Sequence, residues 1–184
     1  TAKPTHEEQV IVPHWGLDLI SPDERFSAKE FQDYARHACT DISRRCKIPL
    51  IVGGTGLYVD AYMYDFVFPE TDQELRNKLE QQSLDELIKY CNKNNINLPA
   101  DYKNRRRVID AICRNGQPIS RNDTLRKHKH IVAIATNADI LRARIRDRAQ
   151  KMFTLGVVEE AIKTAGLYGW TAPGLSGNIY RIIH

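Results

Sequence analysis

Gly53, Gly54, Thr55 and Gly56 follow directly on the apolar run "IPLIV" at 48–52, and together they could bring a polar group up to a ligand. Glycines carry no Cβ, so a ligand can approach their backbone closely. Amides opening a following helix point at an anion or at the polar edge of a base. A threonine hydroxyl at the C-terminal end of a strand stands where open α/β sheets bind ligands. The stretch reads like a phosphate loop with the wrong ending. No G-x-x-x-x-G-K-[ST] occurs anywhere in the chain, and the lysine of that loop is what reaches the phosphates. A tight strand–helix turn with no ligand would use the same glycines, and both readings stand at this point.

Cations supply the other candidate chemistry. Leu141, Ile145, Ala149 and Met152 recur at spacings of four, four and three, and Arg144 and Arg148 border that stripe. Two arginines four residues apart on a helix can converge on one anion, and a guanidinium can grip a phosphate through two hydrogen bonds. Their stems could equally lie over the edge of a core with the heads in water. Arg105, Arg106 and Arg107 cover most of one helical turn, so at least one must face solvent. That cluster suits a phosphate backbone, or a solvated face with an ion pair to Asp110. His14 and Asp18 are four apart, but no third ligand stands at metal spacing. Cys39, Cys46, Cys91 and Cys113 form no C-x-x-C pair, which points to a reducing compartment, with no metal centre or disulfide framework.

The elements that must position these residues follow α/β logic. Ser27 and Glu30 make a capping box for a helix to about Cys46, with Phe31, Ala35 and Ile42 near one face. "IPLIV" suits a strand buried on both sides, and "LYVDAYMY" a helix after the glycines. From Phe68 to Ile119 only helices are expected: "ELRNKLEQQ", "SLDELIKYC" with its capping box Ser83 and Glu86, and "NRRRVIDAICRNG". A second strand is expected at "IVAIA" (131–135). A long helix should follow from Asp139, with a break near Gly156 and a last helix from Asn178. Residues 1–26, with Pro4, Pro13 and Pro22, read as loop.

The chain has 184 residues, 42% hydrophobic and 27% charged, enough for a real core. The net charge is only +4, but basic residues bunch at 103–107, 126–130 and 142–148, which suggests an anionic partner. No apolar run approaches the length needed to cross a bilayer. The chain opens on Thr1 without a methionine and closes inside an apolar stretch, so it is expected to be a piece of a longer protein.

In this order and spacing the motifs resemble one family, the tRNA dimethylallyltransferases, or isopentenyl-pyrophosphate:tRNA transferases. "TAKP" (1–4) is similar to the segment shortly after the family's catalytic aspartate. "PHWGLDLISPDERFSAKEF" (13–31) resembles its Pro-His-x-x-x-Asp-x-x-x-Pro stretch, and "PLIVGGTGLY" its Val-Gly-Gly-Thr-x-Leu-Tyr. "NRRRVIDAI" resembles Asn-x-Arg-Arg-x-x-Arg-Ala-Leu/Ile-Glu, and "LRARIRDRAQKMFTLGVVEE" resembles Leu-x-x-Arg-Ile-x-x-Arg-x-x-x-Met-x-x-x-Gly-Leu-x-x-Glu.

The resemblance implies an α/β fold: a P-loop-NTPase-like parallel sheet core, residues 1–67 and 129–184, with a helical tRNA-binding insertion at 68–128. It implies transfer of a dimethylallyl group from its diphosphate to N6 of the adenosine just 3′ of the anticodon, with Mg²⁺ as cofactor. The partners would be a tRNA anticodon stem-loop and dimethylallyl diphosphate, and the protein a cytoplasmic monomer that uses no membrane. By the same resemblance Thr55 is catalytic and contacts tRNA beside the reacting base. Arg76, Arg106 and Arg107 contact tRNA, Arg144 and Arg148 serve the diphosphate, and Gly53, Gly54 and Gly56 shape the corner.

Departures accompany the match. The family's phosphate loop, general-base aspartate and metal site would lie ahead of Thr1, so the 184 residues alone are expected to be inactive. Asp110 stands where the family usually has arginine, and Cys113 where it usually has glutamate. A basic tRNA contact is therefore expected to be lost, and arginine at 110 to tighten binding. A fragment of a P-loop small-molecule kinase and a non-catalytic RNA-binding remnant are the competing readings.

Overall fold

The computed structural model describes residues 2–54, 56–127 and 129–184, apart from the side chain of Gln73. Among them the chain forms α1 (His6–Ile11), α2 (Ala28–Arg44), α3 (Gly56–Met63), α4 (Gln73–Leu79), α5 (Leu84–Lys93), α6 (Arg105–Cys113), α7 (Ala138–Thr154), α8 (Val157–Tyr168) and α9 (Asn178–Ile183), with a 3₁₀ turn at Pro173–Leu175. Two compact units result, one from residues 1–54 with 127–184, the other from 55–126.

In the first unit, α2 starts on the expected capping box. The Ser27 hydroxyl accepts from the Glu30 amide while the Glu30 carboxylate accepts from the Ser27 amide. Ala28, Gln32, Ala35 and Ala38 form its buried stripe, at the spacing of one helix face. The small helix α1, in a region read as loop, starts on the same device: Thr5 and Glu8 cap each other. Gly156, at φ +86°, separates α7 from α8 in a left-handed conformation that favours glycine. From α8, Val157 and Ala161 are fully buried. The Tyr180 hydroxyl on α9 donates to Glu160 Oε1 at 2.6 Å. Burial, with that bond, pushes the Tyr180 phenol up to about 12.

The two expected strands are a correction. Residues 48–52 and 131–135 run without secondary structure and pair with nothing among the described residues. Ile48, Leu50 and Val52 are 83–92% exposed, and Val132 and Ile134 are 85% and 91% exposed. A strand exists only through hydrogen bonds to a neighbour, and an apolar run gains nothing from strand geometry until layers cover it. Both are missing around these segments within the described residues, which therefore show no sheet there.

One close approach fixes the loop before α2. The Gly174 amide donates to the Pro22 carbonyl at 2.8 Å. A Cβ on Gly174 would lie 3.0 Å from the Cα and carbonyl oxygen of Pro22. These are backbone atoms that cannot swing aside, so Gly174→Ala should cost about 1–3 kcal/mol, or roughly 2–10 °C in Tm. A thermal melt checks this, and an unchanged Tm would mean that the 3₁₀ turn moves off Pro22 freely.

The second unit is helical. Asp72, Ser83 and Asn104 cap α4, α5 and α6 through their side-chain oxygens. Helices α4 and α5 each pack on α6. Leu79, Leu87, Cys91, Ile96, Val108 and Ile112 are the heart of the core. The chain enters and leaves this unit side by side. The Val67 amide donates to Ser120 at 2.9 Å, and the Asn122 and Arg126 amides donate to Tyr64 and Met63. Arg126 closes that junction, with Nε 2.8 Å from Asp65 Oδ1 and its guanidinium 4.7 Å from the Tyr62 ring centre.

Candidate nucleic-acid interface

Three successive arginines open α6, and no acidic residue occupies its first turn. The positive end of a helix disfavours cations by about 0.3–1 kcal/mol each, so the local preference runs against this placement. The structure gives the three different jobs. Arg105 turns back onto the C-terminal end of α4. Its Nε donates to the Gln82 carbonyl at 2.8 Å and its Nη2 to the carbonyls of Glu80 and Leu79. It thus satisfies carbonyls that a helix end leaves unpaired. Arg107 Nε lies 3.4 Å from Asp101 Oδ2, and both side chains are more than half exposed. Arg106 is exposed and has no side-chain partner among the described residues. Asp110 does not answer any of the three. It accepts from Arg76 Nη2 on α4 at 2.6 Å.

Exposed Tyr102 and Lys103 precede the helix. The outward group is therefore Arg106 and Arg107 with Lys103, of which only Arg107 has an ion pair among the described residues, and that an exposed one. Exposed ion pairs contribute about 0–1 kcal/mol, so an arriving phosphate can replace Asp101 at small cost.

Helix α7 carries Arg144 and Arg148 one turn apart, both exposed. The apolar stripe they border is present but its first half is uncovered: α7 has no fully buried residue, with Leu141 47% and Ile145 60% exposed. This corrects the expectation of a core-facing stripe. Periodicity shows which residues share a face, and burial depends on what covers it: α7 packs against α8, Ala149 and Met152 are half-buried, and Leu141 and Ile145 stay exposed. Arg142 is held by Asp139 at 3.0 Å.

Gly53 and Gly54 belong to the first unit and Gly56 to the second. A Cβ on Gly53, Gly54 or Gly56 would meet nothing within 4 Å, so the packing of the described residues does not itself require glycine there. Thr55 lies outside the described residues. Among the described residues no group of three or more His, Cys, Asp or Glu side chains could hold a metal ion. Cys91 and Cys113 are buried thiols, pushed up by desolvation, and therefore unsuited to nucleophilic work.

An exposed group of arginines on a small helical unit can meet an anionic partner, and the chain is similar to one family of known proteins. The model of the IPP transferase family matches residues 1–177. A tRNA dimethylallyltransferase of Natranaerobius thermophilus is 33% identical over 175 aligned positions, covering 87% of this chain and 53% of the relative. One of Roseiflexus castenholzii is 32% identical, covering 98% of this chain and 64% of the relative. Among solved structures, the full-length tRNA isopentenylpyrophosphate transferase of Bacillus halodurans superposes with a TM-score of 0.63 at 29% identity, covering 99% of this chain and 61% of that one. The tRNA delta(2)-isopentenylpyrophosphate transferase of Staphylococcus epidermidis gives 0.61 at 26% identity, covering 100% of this chain and 65% of that one.

The chain belongs to the IPP transferase family. It spans between half and two thirds of the length of these relatives.

Proposed function

We propose that the protein acts in tRNA modification, transferring a dimethylallyl group from dimethylallyl diphosphate to N6 of the adenosine just 3′ of the anticodon. The observation that carries this is the match of nearly the whole chain to curated relatives named tRNA dimethylallyltransferase. In the reaction the N6 amine attacks C1 of the dimethylallyl group. The C1–O bond breaks, diphosphate leaves with the electron pair, and the amine loses a proton to a base. The adenosine must leave its stack to be reached.

Within this reading Arg106 and Arg107 hold the RNA backbone, Thr55 hydrogen-bonds the reacting base, and Arg144 and Arg148 face the diphosphate. The helical stretch 68–128 is the tRNA-embracing insertion, and the flanking segments belong to a P-loop-type sheet core. The similarity to the two solved transferases supports that core. Mg²⁺ would assist the diphosphate through residues outside the described ones. The protein would work as a cytoplasmic monomer. No helix of the described residues is long and apolar enough to cross a membrane.

The RNA half of the reading is tested by Arg106→Gln with Arg107→Gln. Each phosphate contact contributes roughly 0.7–0.9 to the slope of log K against log salt concentration. The double variant should lower that slope for an anticodon stem-loop by roughly 1.5. Equal affinity and slope across salt concentrations would reduce both arginines to a solvated face. Arg105→Gln is the contrasting variant, expected to loosen α4 and to leave the slope alone.

A further inference from the structure

We propose that in this chain Arg76 is a positioning residue, clamped by Asp110 against α6, and that the insertion's backbone contacts to RNA fall to Arg106 and Arg107. The second half rests on the RNA-binding reading above; the clamp does not.

The two side chains, 34 residues apart in sequence and on different helices, meet at 2.6 Å. Only 18% of the Arg76 side chain and 24% of the Asp110 side chain is exposed. The pair sits beside the core: Cys113, one helical turn after Asp110, is buried, as are Leu79 on α4 and Ile109 on α6. Burial alone would lower the Arg76 pKa, but the hydrogen bond and charge of Asp110 outweigh it and hold the guanidinium protonated above its ordinary range.

The comparison with Arg107 decides the assignment. Arg107 and Asp101 are 3.4 Å apart and more than half exposed. Arg76 is closer to its partner and much less accessible. For Arg76 to swing out to a phosphate it must leave a part-buried carboxylate without a counter-charge, and stranding one partner of a buried pair is strongly unfavourable; with only 18% of its side chain exposed it offers little surface to a phosphate where it stands. For Arg107 the exchange trades one solvated anion for another.

The assignment also reverses the expectation for position 110. An arginine there would face Arg76 at the same short range. It would add repulsion at the α4–α6 contact in place of a phosphate contact.

The experiment is a charge cycle in the intact chain: Arg76→Gln, Asp110→Asn, Asp110→Arg, and the reversal Arg76→Asp with Asp110→Arg. Each is read by thermal melting and by the salt dependence of anticodon stem-loop binding. The clamp predicts a Tm lower by roughly 5 °C for each single change, largest for Asp110→Arg, and recovery of most of that loss in the reversal. It predicts a salt slope for Arg76→Gln equal to that of the parent, even where affinity falls because α6 is less well held. A slope lower by roughly 0.7–0.9 for Arg76→Gln would make Arg76 a phosphate contact and overturn the proposal, as would unchanged Tm in all single variants. If the parent chain shows no salt-dependent stem-loop binding, the RNA reading fails, and the assignment of contacts to Arg106 and Arg107 fails with it. The melting cycle still decides the clamp in that case.

Discussion

Leu87→Ala is expected to unfold the helical unit or bring it to the edge of unfolding. Leu87 is fully buried on α5, in one cluster with Leu79, Cys91, Val108 and Ile112. Removing its isobutyl group forfeits the transfer free energy of the lost carbons and leaves a cavity. The cost in well-packed cores is about 2.7–5.0 kcal/mol. A unit of residues 55–126 has on the order of 4–10 kcal/mol of net stability at typical values per residue, so one truncation takes a large share. No backbone device compensates, because the helices α4, α5 and α6 are short and depend on this contact. Hydrogen exchange of the α5 and α6 amides in the intact chain measures the loss locally. Protection should fall by roughly a hundred-fold or more. A change of less than about ten-fold would mean that the unit has a second source of stability, and that the cluster around Leu87 is not its core.

Two helix starts were legible from the capping pairs in the sequence. Ser27 with Glu30 and Ser83 with Glu86 mark α2 and α5, and both boxes form as expected. The same signal, Thr5 with Glu8, marks α1. Residues 1–26 read as loop on their prolines, yet Pro4 and Pro13 bracket this helix without entering it. Strands were less legible, because an apolar run states only that it would gain from burial. What buries it is a non-local matter, and 48–52 and 131–135 stay exposed within the described residues. The first half of the stripe on α7 is uncovered for the same reason.

The candidate site shows a similar division. Three consecutive arginines cannot all face one way, and that much follows from 3.6 residues per turn. Which one turns inward depends on where the carbonyl end of α4 lies, and only the fold places it beside Arg105. The Arg76–Asp110 pair was equally hidden, since position 110 read alone is a misplaced negative charge. Its partner lies on another helix, beyond the reach of helical spacing. Arg106 and Arg107 were legible as a cluster, because exposure is the default for adjacent charges with no apolar neighbour between them.

The second large effect is all-or-none. The 184-residue chain alone should form no prenylated adenosine, and the product of the complete reading frame should form it. Transfer needs a cradle for the diphosphate, an acceptor for the amine proton and a pocket for the adenine. Under the proposed reading residues 1–184 bring the adenine side, through Thr55, and two arginines for the diphosphate. No G-x-x-x-x-G-K-[ST] loop occurs among them. Each missing electrostatic donor typically costs ~10²–10³ in rate, so several together take turnover below detection. In the complete form, Thr55→Val keeps the β-branched shape and removes one hydrogen bond. A buried hydrogen bond left unmade costs about 1–3 kcal/mol, so kcat/KM should fall roughly ten- to hundred-fold. Mass spectrometry of an anticodon stem-loop, incubated with dimethylallyl diphosphate and each form in turn, decides the account. It predicts the adenosine 3′ of the anticodon carrying one dimethylallyl group with the complete form and unmodified RNA with the 184-residue chain. Unmodified RNA with a complete form that binds the stem-loop would contradict the proposed reaction, and modification by the 184-residue chain alone would contradict the assignment of its residues.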